Sequence, residues 1–168
     1  MRHGFLIALF AALFALPLAH AGESTFSEPR AGLHAGGQPS ERQLEELAGQ
    51  GVRTVIDLRG ADETRGYDES AAAARLNLHL VSLPIVDADA LTAANAAALK
   101  RALDASKGPV LLHCASGNRV GALLALMAAS QEGMEPESAL AFGQRAGLKS
   151  LEPVVRTKLG LPPAEASR

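Results

Sequence analysis

The chain is expected to fold as a three-layer α/β domain, a mainly parallel sheet flanked by helices. Two observations carry that expectation. Short strand-like runs alternate with longer helical patterns along most of the chain, the order that builds βα units. The runs Val52–Leu58 and Pro109–His113 are rich in apolar and β-branched residues, as strands buried on both faces are.

Each element follows from local chemistry. Residues 22–31 form a loose entry segment, and Leu33–Gln38, with Gly36-Gly37, is a short extended piece. Pro39-Ser40 then opens a helix, in which Ser40 supplies the cap and Gln43, three residues on, completes a capping box. Leu44 and Leu47 give this helix its buried face, and Gly49 to Gly51 end it. A strand over Val52–Leu58 is followed by a polar stretch to Asp68 and an Ala-rich helix over Glu69–Arg75. Leu76–Ile85 alternates well enough for a strand, broken at Pro84. A loop at Asp87–Asp89 leads into a second Ala-rich helix, Leu91–Leu103, and then the short strand Pro109–His113. Arg119–Ser130 is strongly helical, with a glycine near its start. Pro136 stands where a first helical turn accepts proline, so a short helix runs from there to near Gly147. Leu151–Leu159 is the last helix. There is no internal repeat and no low-complexity linker, so one domain over 22–160 is expected, with a flexible tail at 161–168.

The first residues have a different character. Arg2 and His3 precede an uninterrupted apolar run, Phe5–Leu16, then Pro17 and the small-residue pattern Ala19-His20-Ala21. A basic start, a short apolar core and an A-x-A site describe a secretory signal peptide over residues 1–21. A spanning helix needs about 20 apolar residues, and this run is shorter. The expected product is secreted or periplasmic, with no stable membrane insertion after cleavage.

Composition narrows the function classes. Apolar residues make up 48% and charged residues 20%, the balance of a globular protein. The net charge of −2 and the absence of a basic stripe exclude a nucleic-acid footprint, and no Trp and one Tyr leave little for stacking on bases. His34 and His79 are isolated, with no ligand spacing between them, so no metal is expected. Nothing in the sequence sets an oligomeric state.

Cysteine use points to chemistry. There is one, Cys114, so no internal disulfide can form, and a lone thiol in an exported chain is either buried or employed. Its neighbours argue for employment. The run Val110-Leu111-Leu112-His113-Cys114 passes through Ala115-Ser116-Gly117-Asn118 into the helix opening at Arg119. A loop between a parallel strand and a helix N-terminus turns its amides inward, and the helix dipole adds positive potential there. Gly117 lets the backbone curl, and the Arg119 fork can hold two oxygens of an oxyanion. The same field favours the thiolate of Cys114. One loop thus offers a nucleophile and a cradle made by residues 115–119, as attack on an anionic phosphorus or sulfur centre requires.

The pattern His113-Cys114, Gly117, Arg119 resembles the phosphate loop of protein tyrosine and dual-specificity phosphatases. A wider match from about Leu33 to Ala129 takes in Gly37-Gln38-Pro39-Ser40, Asp57-Leu58-Arg59, Glu63 and Pro84, and is similar to the phosphatase-like domain of beta-lactamase-hydrolase-like proteins. The resemblance implies a tyrosine-phosphatase-like fold, Cys114 as nucleophile and Arg119 as oxyanion clamp. It also implies a general acid in the loop after a sheet strand, with Asp87 the first candidate and Asp89 the second.

Two features depart from the phosphatase pattern. Four residues separate Cys114 from Arg119 where phosphatases usually have five, and Val120 stands where they favour Ser or Thr. The four-residue spacing is that of rhodanese sulfurtransferases. The sequence therefore supports a cofactor-free, cysteine-dependent phosphatase acting on a small anionic or phosphorylated substrate. A rhodanese-like sulfurtransferase carrying a Cys114 persulfide and a non-catalytic anion-binding module are the alternatives. Arg59 either adds positive potential to the pocket or pairs with Asp57 or Glu63, and His113 supports the loop from behind.

Overall fold

The computed structural model describes residues 25–164, so the proposed leader and the last four residues lie outside the description. The elements are β1 (Ser27–Arg30), β2 (Leu33–Gly36), α1 (Glu41–Gly49), β3 (Thr54–Asp57), α2 (Glu69–Arg75), β4 (His79–Ser82), α3 (Ala93–Ala105), β5 (Val110–His113), α4 (Asn118–Glu132), α5 (Pro136–Arg145) and α6 (Glu152–Leu159). The strands form one sheet in the order β1-β2-β5-β3-β4. β2, β5, β3 and β4 run parallel, and β1 joins β2 antiparallel. The expected α/β class is observed.

One expectation fails. The segment expected to be a loose entry holds β1, which hairpins onto β2 through Gly32. Its sequence, Ser-Glu-Pro-Arg, carries no strand signature, but an edge strand tolerates proline because one row of its amides needs no partner. The turn is closed by Glu28, whose carboxylate accepts the Gly32 N–H at 2.7 Å. The predicted capping box at Ser40 and Gln43 forms as expected.

The pleat sends successive residues of the central strands into two cores. Val55 and Leu111 join Leu44 and Leu47 of α1 and Ala72 and Ala73 of α2 on one face. Ile56 and Leu112 join α3, α4 and α5 on the other. Burying each such leucine or isoleucine is worth about 1.5–3 kcal/mol, so both faces must be covered for the sheet to persist. α4 is the central helix: every residue from Val120 to Ala128 is buried. It meets α5 backbone to backbone, since a Cβ on Gly121 would lie 2.4 Å from the Gly143 carbonyl oxygen. Leu161, at the start of the expected tail, still packs against this core.

Candidate active site

β5 is the middle strand of the sheet, so its carboxyl end opens among the ends of β2 and β3, where loops of a parallel sheet gather. The chain leaves it at His113 and reaches α4 at Asn118, with Gly117 at φ +88° as the residue that reverses the backbone. A side chain there would be strained, which is why glycine stands at that point. The loop is held from both sides. On one, Gly36 carbonyl accepts the Cys114 N–H at 3.3 Å and Gly37 bridges to Ser116. On the other, Gly147 lies so close that a Cβ on it would sit 3.1 Å from the Gly117 oxygen.

Within the loop the Cys114 sulfur accepts the Gly117 N–H at 3.1 Å, at the N-terminus of α4. The thiol is fully buried, with 0% of Cys114 exposed. Arg119 is held in a fork: Nη1 and Nη2 donate to the two Glu63 carboxylate oxygens at 2.6 and 2.7 Å, and Nη1 also donates to the Ile85 carbonyl at 3.0 Å. The hydrogen bond from Arg119 is the main reason the Glu63 carboxyl is held down to about 2. Burial opposes that effect, and the Gly60 N–H at 2.8 Å assists it. Reciprocally, Glu63 raises Arg119 above its ordinary value, with a smaller contribution from Cys114. A guanidinium fixed at two points cannot swing away, so its orientation is set before any ligand arrives.

Beneath the loop lies a buried charge cluster. Arg59 is 1% exposed and donates to Asp57 at 3.1 and 3.3 Å and to Glu69 at 2.6 Å. Arg65 donates to Asp57 at 3.0 Å from the solvent side. Burial pushes the Asp57 carboxyl up, but its hydrogen bonds from Arg59 and the charges of His113 and Arg59 outweigh that and hold it below the usual range. His113, also fully buried, has Nε2 2.9 Å from Glu69 Oε1 and Nδ1 3.9 Å from Asp57 Oδ1, distances reached without hydrogen-bond alignment. Ligand-type atoms of Asp57, Glu69 and His113 lie within 4.8 Å of one another. The Arg59 guanidinium already bridges the two carboxylates, which supplies the positive charge a metal would bring.

The structure thus brings together Cys114, Ala115, Ser116, Gly117 and Arg119 in one loop and its following turn, and places His113 behind them. Asn118 points elsewhere: it donates to Ser150 Oγ at 2.8 Å and accepts the Lys149 N–H at 2.8 Å, tying α4 to the α5–α6 connection. Arg59 pairs with Asp57, as one reading had it, but with Glu69 and not Glu63. Asp87 is exposed on the loop that also supplies Ile85, and its carboxylate accepts the Asp89 and Ala90 amides at 2.9 and 3.0 Å. Asp89 is exposed as well. Glu63 as the partner of Arg119 escapes a reading of sequence alone, because 56 positions separate them.

Residues 6–152 match the family described as DSP-PTPase phosphatase fused to NAD+ Kinase. Beta-lactamase hydrolase-like proteins from two strains of Xylella fastidiosa are each 34% identical over 115 residues, 66% of this chain and 26% of theirs. The chain spans about a quarter of the length of these curated relatives. Among solved structures, a candidate phosphatase from Neisseria meningitidis superposes with a TM-score of 0.66 at 19% identity, with 78% of this chain and 96% of that one covered. Tk-PTP in its active form gives 0.62 at 19% identity, covering 80% and 95%. TpbA of P. aeruginosa, solved in complex with pTyr, gives 0.55 at 20% identity, covering 82% and 88%. These structural likenesses speak to the fold, which is that of tyrosine phosphatases.

Proposed function

We propose, from the premise that this chain belongs to the DSP-PTPase family named above, that it hydrolyses phosphomonoesters through a phosphocysteine at Cys114. The carrying observation is the seat of the sulfur: Cys114 Sγ accepts the first amide at the mouth of α4, where a thiolate and an incoming anion are both favoured. The thiolate attacks phosphorus, forming the S–P bond as the P–O bond to the leaving group breaks. Asp87 donates its proton to that leaving oxygen. Water then attacks phosphorus, Asp87 takes its proton, and the P–S bond breaks to return the thiolate and free phosphate. Amides of residues 115–117 and the Arg119 donors not taken by Glu63 and Ile85, Nε–H and the second Nη2 hydrogen, hold the non-bridging oxygens throughout. Cys114 is fully buried, so turnover requires the cover over its sulfur to move aside.

The sulfurtransferase reading rests on the four-residue spacing alone, whereas the family and the fold neighbours lie with the phosphatases. The secreted or periplasmic location remains part of the proposal, carried by the sequence of residues 1–21.

Intact mass after exposure to an aryl phosphate, with phosphate release, is the test. A phosphoryl adduct absent from Cys114→Ser is expected. Asp87→Asn keeps an oxygen acceptor for the two turn amides while removing the acid, and should slow turnover by about 10²-fold or more. Full activity in Cys114→Ser would sink the mechanism, and a gain of one sulfur from thiosulfate in place of a phosphoryl adduct would establish the sulfur carrier instead.

A further inference from the structure

A cavity of about 490 Å³ flanks the Cys114 loop on the side away from Glu63. Ala115, Ser116 and Gly117 of the loop form one wall, Gly36 and Gly37 a second, and the end of α5 with its following turn the third, where Arg145 and Lys149 stand. Among the described residues no Asp or Glu lines it. Both cations are exposed, and among the described residues neither forms an ion pair. The Arg145 guanidinium stands 5.8 Å from the centroid of the Phe142 ring. The carbonyls that end α5 do not offset this positive charge, because those of Phe142, Gly143 and Gln144 are taken by the amides of Ala146, Gly147 and Leu148.

Two positive charges without an ion-pair partner among the described residues, on a polar cavity, call for a dianion, and a phosphate group carries about −1.5 to −2 at neutral pH. We infer that this cavity binds a second phosphate on the substrate's leaving group, so that the preferred substrate is a small molecule carrying two phosphates. The inference rests on the phosphatase reading for the scissile group, but the subsite itself is a matter of binding. Arg145 and Lys149 then act as specificity residues. Their contribution falls on KM and weakens with added salt, because both side chains face solvent.

A matched pair of substrates tests it: 4-(phosphonomethyl)phenyl phosphate, with a second and non-hydrolysable dianion, and 4-ethylphenyl phosphate, without one. The wild-type chain should favour the first about tenfold in kcat/KM, mainly through KM, as two partly solvated charge pairs allow. The ratio should fall to within about twofold of unity in the double variant R145A/K149A. It should stay unchanged in Lys107→Ala, which removes a cation between α3 and β5 at the opposite end of the sheet. Equal rates on the two substrates in wild type, or a preference that survives in the double variant, would overturn the subsite and leave the phosphatase reading standing. If neither substrate is turned over, the phosphatase reading fails, and calorimetry with 1,4-bis(phosphonomethyl)benzene and benzylphosphonate decides the subsite separately. Tighter binding of the bisphosphonate that is lost in R145A/K149A supports it, and equal binding by the wild-type chain overturns it.

Discussion

Gly121→Ala and Gly49→Ala should move stability in opposite directions, and the size of the first change follows from the α4–α5 crossing. A Cβ on Gly121 would lie 2.2 Å from the Leu148 nitrogen and 2.4 Å from the Gly143 oxygen, both backbone atoms that no rotamer change can clear. Ordinary contact needs roughly 3.5 Å, so the helix and the neighbouring turn must part by about 1 Å. Overpacking of this kind costs about 1–3 kcal/mol, and the backbone contacts place it at the upper end. Alanine returns about 1 kcal/mol in helix propensity, leaving a loss of about 2 kcal/mol. For a domain of this size that lowers Tm by roughly 8 °C. A Cβ on Gly49 would meet nothing within 4 Å, so Gly49→Ala should gain about 0.5–1 kcal/mol. Guanidinium unfolding measures both, with an unchanged slope showing that the cooperative unit is intact. A Gly121→Ala protein as stable as wild type would refute the close packing of α4 on α5, and with it the account of how α4 is positioned.

The charged groups make two further predictions. Glu63→Gln removes the anion that fixes Arg119 and should lower kcat/KM on an aryl phosphate by about 10²-fold through misplacement of the clamp. The same pair has an acid signature. Because Glu63 is held below its ordinary 4.5, its stabilisation is complete above that pH and disappears as pH falls towards about 2. Urea midpoints taken between pH 5 and pH 3 should therefore drop further for wild type than for Glu63→Gln, and parallel curves would show that the fork contributes nothing. Arg59→Met strips the buried Asp57 and Glu69 of their shared cation and should destabilise by about 3–5 kcal/mol in urea titration. A loss under 1 kcal/mol would mean that Arg65 and His113 suffice to neutralise those carboxylates.

Much of the layout was legible because it is written in local patterns. The capping box at Ser40, the helix Glu69–Arg75, and the run from Val110 into Cys114 each announce themselves within a few residues, and all are present. β1 was not legible, since an edge strand of three polar residues and a proline owes its existence to its partner. The partnerships of the charged residues were hidden for a related reason. Arg59 had nearby acids at Asp57 and Glu63, and only the packing of α2 against the sheet brings Glu69 to it while freeing Glu63 for Arg119. Asn118 looked like part of the cradle because of its position between Gly117 and Arg119. Its side chain instead answers the amides of a turn more than thirty residues away.

The complete cover over Cys114 gives the chain a built-in clock. As the sole cysteine, it is the one place a thiol reagent can enter, and it reacts only while the loop stands open. With dilute reagent, labelling should rise in proportion to concentration and report the fraction of time spent open. With concentrated reagent it should level off at the opening rate itself. If the reaction passes through the same opening, that plateau is a ceiling on turnover, and a bound anion that props the mouth apart or holds it shut will announce itself by changing the tempo of a single chemical event.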